Sequence, residues 1–514
     1  MKRKIYDELL KWKNNSDGKT AMLIEGARRI GKSYIALEFA KKNYKSYVLI
    51  DFFKEKEEIK NLFNDYLDDL DKLFLYLSEY YGVELYERNT VFIFDEVQFC
   101  PRARSAIKYL VADGRYDFIE TGSLISIKKN VRDILIPSEE ESIKMNPMDF
   151  EEFLWAMGRD TLMDYIRKFY EERKPLGPAM HRKIMDYFKE YMIVGGMPQA
   201  VLEYKNTNSF ERADKIKRDI IKLYRNDIRK HADELNLKVE QIFDTIPAQL
   251  QKHEKKFNFA NLSENARYRD FEGAFYWLED AGLINIAYNT TEPNIGLGQR
   301  LDSNSLKCYF MDTGLLLSMT FNEKEITREE VYKKILFDKL TFNNGMILEN
   351  LVAQMLNATG NKLYFFSRNS RDNSSDTMEI DFLISKSMIT SKHNIIPIEV
   401  KSGKNYTYSS LNKLYNKYKD YLGDAIILHT GDLKIENDIL YLPIYMTSLL
   451  WLKYTSVELK CIKNRCFRHI VTNVYTDLHY STKVFVVFCI IVFYNEFMCS
   501  KNKFSSKKGN TWTK

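Results

Sequence analysis

Eight consecutive residues, Gly26-Ala27-Arg28-Arg29-Ile30-Gly31-Lys32-Ser33, satisfy the pattern GxxxxGK[ST] in full. Glycines at its ends let backbone N–H groups turn inward around a phosphate, and the helix start behind the loop favours an anion through its dipole and free amides. In such a loop Lys32 reaches the β- and γ-phosphates and the Ser33 hydroxyl ligates Mg2+. Gly26 to Ser33, with Tyr34 next to them, are the expected contacts to ATP. A second acidic signal stands at Asp95-Glu96, directly after the apolar run Val91–Phe94. A carboxylate at the C-terminal end of a buried strand lies at the mouth of a parallel sheet, where ligands bind. Asp95 is therefore the expected second holder of Mg2+. Glu96 is expected to orient and deprotonate the attacking water, which makes Glu96 and Lys32 the expected catalytic pair. At the end of "YDFIETGS", Thr121 and Ser123 place hydroxyls where a γ-phosphate can be sensed, although Thr-Gly-Ser also reads as a plain turn.

These residues need particular elements to hold them. "TAMLIE" (Thr20–Glu25) is a short apolar run suited to a buried parallel strand, and "SYIALEFAKK" after the loop has helical spacing. "YVLIDF" (Tyr47–Phe52) supplies another strand. Strands alternating with helices predict a doubly wound parallel α/β domain over residues 1–150. From 151 to 235 apolar residues recur at i, i+3 and i+4, which predicts helices. Over 236–330 the order helix, helix, helix, then "GLINIAY" as a strand predicts a winged helix, with Arg267, Tyr268 and Arg269 placed either to enter a DNA groove or simply to pack.

Together with "NPMDFEEFLWAMG" (Asn146–Gly158) and "GGMP" (Gly195–Pro198), these motifs resemble one family: prokaryotic AAA-type P-loop ATPases with a C-terminal domain of unknown function. The resemblance runs over roughly residues 15–450. It implies that 1–150 is the ATPase core and 151–235 its helical lid. Family members often carry Gly-Arg before the Pro-x-x-Phe segment; this chain has "PSEEESIKMNP" there, so no arginine is carried over. Arg225 and Arg229 read equally as a finger acting in a homo-oligomer or as charges on a helix surface.

Beyond residue 330 the residues with chemistry are Glu349 in "GMILENLVAQML", Glu379 and Asp381 in "TMEIDFLIS", and Glu399 and Lys401 in "NIIPIEVKSGK". The order helix, three strands, helix, strand over 331–452, with a glutamate, an aspartate and Glu-x-Lys, resembles the PD-(D/E)xK nuclease fold. The resemblance implies a second Mg2+ site at Asp381 and Glu399, with Glu349 and Lys401 beside it, in which the metal activates a water. Residues two apart on a strand share a face. Glu399 and Lys401 should therefore project together with Val400 on the opposite, buried face, and Glu379 and Asp381 together with Ile380 opposite. A fold kept without cleavage is the competing reading.

Composition limits the partners. The net charge of +6 is carried by the end of the chain: Trp451 to Lys514 holds 11 Lys and Arg against 3 Asp and Glu, and the rest is nearly neutral. A nucleic-acid surface must then come from local patches. Four of the six cysteines also lie there, and Cys461, Cys466 and His469 lack an evident fourth ligand, so no zinc site is predicted. The apolar run Val484–Tyr494 has 11 residues, short of the roughly 20 that span a bilayer. Residues 453–514 are expected to form a basic, poorly packed extension. The N-terminus lacks the apolar segment of a signal peptide, and cytoplasm is the expected location. The function these features imply is ATP binding and Mg2+-dependent hydrolysis, with DNA or RNA as the object of the work. The alternative is a nucleotide-gated switch or scaffold with an inactive nuclease fold that recruits protein partners.

Overall fold

The computed structural model describes residues 1–450 except 123–137, 253–254, 295, 322–328, 337–343, 370–376, 386–392, 404–406 and 438. Ser123 and the whole 453–514 extension, with its cysteines and apolar run, lie outside the described residues. Residues 1–450 form one compact unit.

The first layer is a five-stranded sheet of β1 (Ala21–Glu25), β2 (Ser46–Asp51), β3 (Thr90–Asp95), β4 (Asp117–Thr121) and β5 (Glu140–Lys144), in the order β2-β3-β4-β1-β5. Every pairing in it is parallel. Helices α1 (Ile5–Ser16), α2 (Lys32–Asn43), α3 (Glu57–Asp65), α4 (Leu70–Tyr81) and α5 (Pro101–Asp113) supply the connections and an N-terminal brace. Alternate strand residues Leu23, Val48, Ile50, Phe92, Phe94 and Phe118 pack with apolar residues of α3, α4 and α5 in one core. Helix α2 packs on β2, β3 and β4 through its own buried Ile35, Ala36 and Phe39, which are not part of that core. Both faces are thus covered, which is why these strands read as nearly continuous apolar runs. Strand β5 is different. It pairs with β1 from Ala21↔Glu140 to Glu25↔Lys144, but it lies at the sheet edge and exposes Glu141, Ser142 and Lys144. Charges on an edge strand block further pairing, and the same charges hide the strand from a search for apolar runs.

Helices Phe150–Ala156, Leu162–Glu172, Pro178–Val194, Pro198–Thr207 and Phe210–His231 follow. The Gly195-Gly196 pair between two of them is explained by close approach. A Cβ at Gly196 would meet the Met148 carbonyl oxygen at 2.1 Å. The Gly196 N–H donates to the buried Asp312 carboxylate at 2.5 Å.

Helices Asn236–Leu250 and Tyr268–Asp280 then lead into β6 (Ile284–Thr290) and β7 (Leu301–Phe310). This hairpin does not stand apart as a wing. It joins β8 (Leu363–Arg368), β9 (Met378–Ser385), β10 (Ile395–Lys401), β11 (Ile426–His429), β12 (Lys434–Glu436) and β13 (Ile439–Pro443) in one eight-stranded sheet ordered β12-β13-β11-β10-β9-β8-β6-β7. Strands β6 and β8 pair in parallel from Ala287↔Leu363 to Asn289↔Phe365. The division expected at residue 330 therefore passes through a single hydrogen-bonded layer. The order helix (Asn344–Ala358), β8, β9, β10, helix (Ser409–Tyr418), β11 is present, with β10 and β11 parallel. Of the three residues considered for a DNA groove, Tyr268 is buried against Phe259 and Phe275, so its ring is not offered to a partner.

Candidate functional site

The Gly26–Ser33 loop joins the end of β1 to the start of α2. Its turn uses left-handed backbone at Arg29 (φ 69°) and Gly31 (φ 97°), the second of which caps α2. Lys32 lies along the inside of the loop, its Nζ donating to the Gly26 and Ala27 carbonyls at 2.9 Å each. Burial pushes the Lys32 ammonium down to about 8, although the charges of Glu96 and Asp95 work the other way. The Ser33 hydroxyl donates to Asp95 Oδ1 at 2.7 Å, and the Thr121 hydroxyl donates to the same oxygen. Three separate elements, α2, β3 and β4, so bring their hydroxyl and carboxylate groups to one point at the C-terminal end of the sheet. Ser33 and Asp95 are hard oxygen donors of the kind Mg2+ takes, and they touch each other, so they fit that ion. Glu96 follows with left-handed backbone (φ 54°), which turns it out of the strand, and Gln98 Nε2 holds its Oε2 at 2.5 Å. A cavity of about 510 Å³ opens here, lined by Arg29, Gly31, Lys32, Ser33, Tyr34 and Glu96. That is within the roughly 300–1,000 Å³ of small-molecule and cofactor sites. Ala27, Arg28 and Ile30 complete the loop, with Ile30 buried beneath it. A polyphosphate beside Lys32 would raise the ammonium's pKa again. ATP affinity should therefore be full below about pH 8 and fall above it, by up to about tenfold per pH unit, with uptake of a proton on binding. Calorimetry in buffers of different ionisation enthalpy reads both.

Some residues at this site have no motif. The buried Arg3 of the N-terminal segment donates to the Ile30 carbonyl at 2.8 Å and to the Asn146 carbonyl at 2.7 Å. From helix Phe210–His231 the Tyr224 hydroxyl donates to the Arg28 carbonyl at 2.7 Å, and Asp227 pairs with the Arg28 guanidinium at 2.8 Å. Tyr224 and Asp227 are three apart, hence on one helix face; that spacing is their only signal in the sequence. Arg225 and Arg229 turn to helix Asn236–Leu250 and pair with Asp244 and Glu240.

A second cluster forms where helix Asn344–Ala358 meets β7, β9 and β10. Glu349, 2% exposed, accepts from the Tyr309 hydroxyl at 2.5 Å and pairs with Lys255 and, at 3.3 Å, with Lys307. Lys307, 1% exposed, also lies 3.0 Å from Glu379 and 3.7 Å from Asp381. Asp381 accepts from the Val400 N–H at 2.9 Å, and Glu399 pairs with Lys401. Glu349, Asp381, Glu399 and Lys401 are thus brought together, and the pairing of β9 with β10, Ile398↔Phe382 at its end, sets Asp381 beside Glu399. Glu379 and Asp381 do share a face, with Ile380 buried behind them. On β10 the expectation of a buried Val400 fails: Glu399 is buried and Val400 is only half-buried, because Glu399 packs among Asp381, Lys401 and the other charges of the cluster. Burial opposes the charge on Glu349, but Lys307 and Lys255 outweigh it and hold the carboxyl at about 2. Burial and then Asp381 push Glu399 up to about 7. No motif in the sequence marks Lys307 or Lys255. The signal for Lys307 is one lysine inside the otherwise apolar "LKCYFM". Among the described residues no group of three or more His, Cys, Asp and Glu side chains is arranged to hold a metal ion. The carboxylates expected to bind a second Mg2+ do not fit it as they stand, because Lys307 lies among them.

Three family models match separate stretches of the chain. Residues 18–154 match the model of an AAA domain, 185–325 a domain of unknown function (DUF8612), and 344–446 a domain of unknown function (DUF4143). The N-terminal module is accordingly similar to AAA domains over residues 18–154. No curated protein matches the chain. Among solved structures, the Walker-type ATPase PABY2304 of Pyrococcus abyssi is similar at 16% identity over 62% of this chain and 95% of that one, with a TM-score of 0.38. The Orc1 protein of Aeropyrum pernix in complex with DNA is similar at 8% identity over 63% and 93%, with a TM-score of 0.22. Likeness at these scores identifies neither activity nor partner.

Proposed function

We propose that the protein is a Mg2+-dependent ATP hydrolase of the AAA type. The observation that carries the reading is the meeting of Ser33, Thr121 and Asp95 at one oxygen, beside Lys32 and Glu96 on the wall of one cavity. Lys32 binds the β- and γ-phosphates once it leaves the loop carbonyls, and Gly26 to Tyr34 surround the nucleotide. Ser33 and Asp95 would hold Mg2+, which neutralises charge on the phosphates. Glu96 orients a water in line with the γ-phosphate and takes its proton, and Gln98 keeps the Glu96 carboxylate in place. Thr121 senses the γ-phosphate through Asp95, and Ser123 is assigned to the same task from the sequence alone. Hydrogen bonds to a charged group contribute about 1.5–3 kcal/mol each, so Lys32→Ala should weaken ATP binding by about tenfold or more in calorimetry. Equal affinity in both chains would sink the reading.

DNA or RNA remains the proposed object of this activity, acting through residues 236–330 and the nuclease-like module, in the cytoplasm. No described helix is long and apolar enough to cross a membrane. A second reading, a nucleotide-gated switch that recruits a protein or a further copy of itself, is favoured by the hold of Tyr224 and Asp227 on Arg28. Any change in the loop must be transmitted to helix Phe210–His231. An ATPase assay with and without DNA and RNA separates the two: stimulation supports the first, and slow turnover with nucleotide-dependent self-association supports the second.

A further inference from the structure

We propose that Lys307 is a built-in cation that takes the place of a divalent metal in the cluster of Glu349, Glu379, Asp381 and Glu399, so that this nuclease-like module does not take up Mg2+ or Mn2+. This inference is independent of the ATPase reading. A metal site needs carboxylate oxygens free to face the ion. Here each carboxylate already has an ammonium partner: Glu349 has Lys255 and Lys307, Glu379 and Asp381 share Lys307, and Glu399 has Lys401. One lysine, from a strand outside the Glu-x-Lys motif, reaches three of the four. Its Nζ lies 3.0, 3.3 and 3.7 Å from the three carboxylates, so one positive charge stands among three negative ones. Glu399 Oε1 is buried without a hydrogen-bond partner, and the Lys401 ammonium is paired with the other oxygen of the same carboxylate.

Lys307 cannot readily give way. Its neighbours on β7, Leu306 and Cys308, are buried, and the Phe365 ring lies 5.1 Å from its ammonium. An ion entering the cluster would leave a buried ammonium without its partners, which is strongly unfavourable. The lysine therefore does for the carboxylates what a metal would do, cancelling their mutual repulsion, but it supplies no open coordination position at which a water could be activated.

The test uses the full chain and Mn2+ without nucleotide, followed by paramagnetic resonance and by thermal melting. The reading is the difference between the unaltered chain and Asp381→Asn, because ions held at Ser33 and Asp95 cancel in it. Equal Mn2+ uptake by the two supports the proposal, and uptake that Asp381→Asn abolishes overturns it. Lys307→Met keeps the bulk and removes the charge. It should melt several degrees lower without metal, regain that loss in Mn2+, and bind an ion that the double variant Lys307→Met/Asp381→Asn does not. A folded Lys307→Met chain that binds no additional Mn2+ also overturns the proposal. If Lys307→Met fails to fold, the first pair of chains still decides.

Discussion

Glu96→Gln should bind ATP with nearly unchanged affinity and hydrolyse it about 10²–10⁴-fold more slowly, the range that a positioned general base contributes. The substitution keeps the size of the side chain and its hydrogen bond to Gln98, and removes only the ability to take a proton. Nucleotide affinity is set by the loop and by Lys32, which Glu96 influences through charge alone. Single-turnover hydrolysis and equilibrium binding, measured on one preparation, give both quantities. Loss of binding in parallel with loss of rate would mean that Glu96 supports the loop instead of the water. An unchanged rate would remove it from the chemistry.

Asp214→Ala should be among the most destabilising single changes in the chain, at about 3–5 kcal/mol, the cost of removing one partner from a buried ion pair. Asp214 is fully buried on helix Phe210–His231. It accepts from Arg218 at 2.7 Å, from the Ser318 hydroxyl at 2.6 Å and from the Tyr332 hydroxyl at 2.6 Å. Burial alone would raise its pKa; Lys217, Arg218 and the two hydroxyls outweigh this and hold it below the usual range. Those groups come from three helices, so their loss loosens the joint between Phe210–His231, Thr313–Thr320 and Glu329–Leu336. Denaturant unfolding followed by fluorescence measures the effect. Asp214→Asn should lose less, since it still accepts hydrogen bonds, and equal losses in the two variants would point to packing instead of charge.

The nucleotide site was legible because its chemistry is contiguous. Eight neighbouring residues specify the loop, and Asp95 and Thr121 end strands whose apolar runs announce them. Asp381, Glu399 and Lys401 were legible on strands through the Glu-x-Lys motif and the two-residue period, and Glu349 on the helix before them. What could not be read was the company each residue keeps. Lys307 reaches Glu349 across 42 positions of the chain and Tyr224 reaches Arg28 across 196, and no local pattern encodes such a partner. The edge strand β5 is hidden for another reason: its exposed charges are the opposite of the apolar runs that mark β1 to β4. Strand β6 after three helices fits the order of a winged helix, and only its pairing with β8 reveals that it serves the neighbouring sheet.

That pairing has a consequence for where the chain can be divided. Cutting the chain between β7 and β8 would strip β6 and β8 of each other along Ala287↔Leu363 to Asn289↔Phe365, leaving each fragment with a raw, unprotected sheet edge. Such edges recruit foreign strands and drive aggregation. Residues 344–446 made without the preceding hairpin should therefore be prone to aggregate, and so should the reverse fragment.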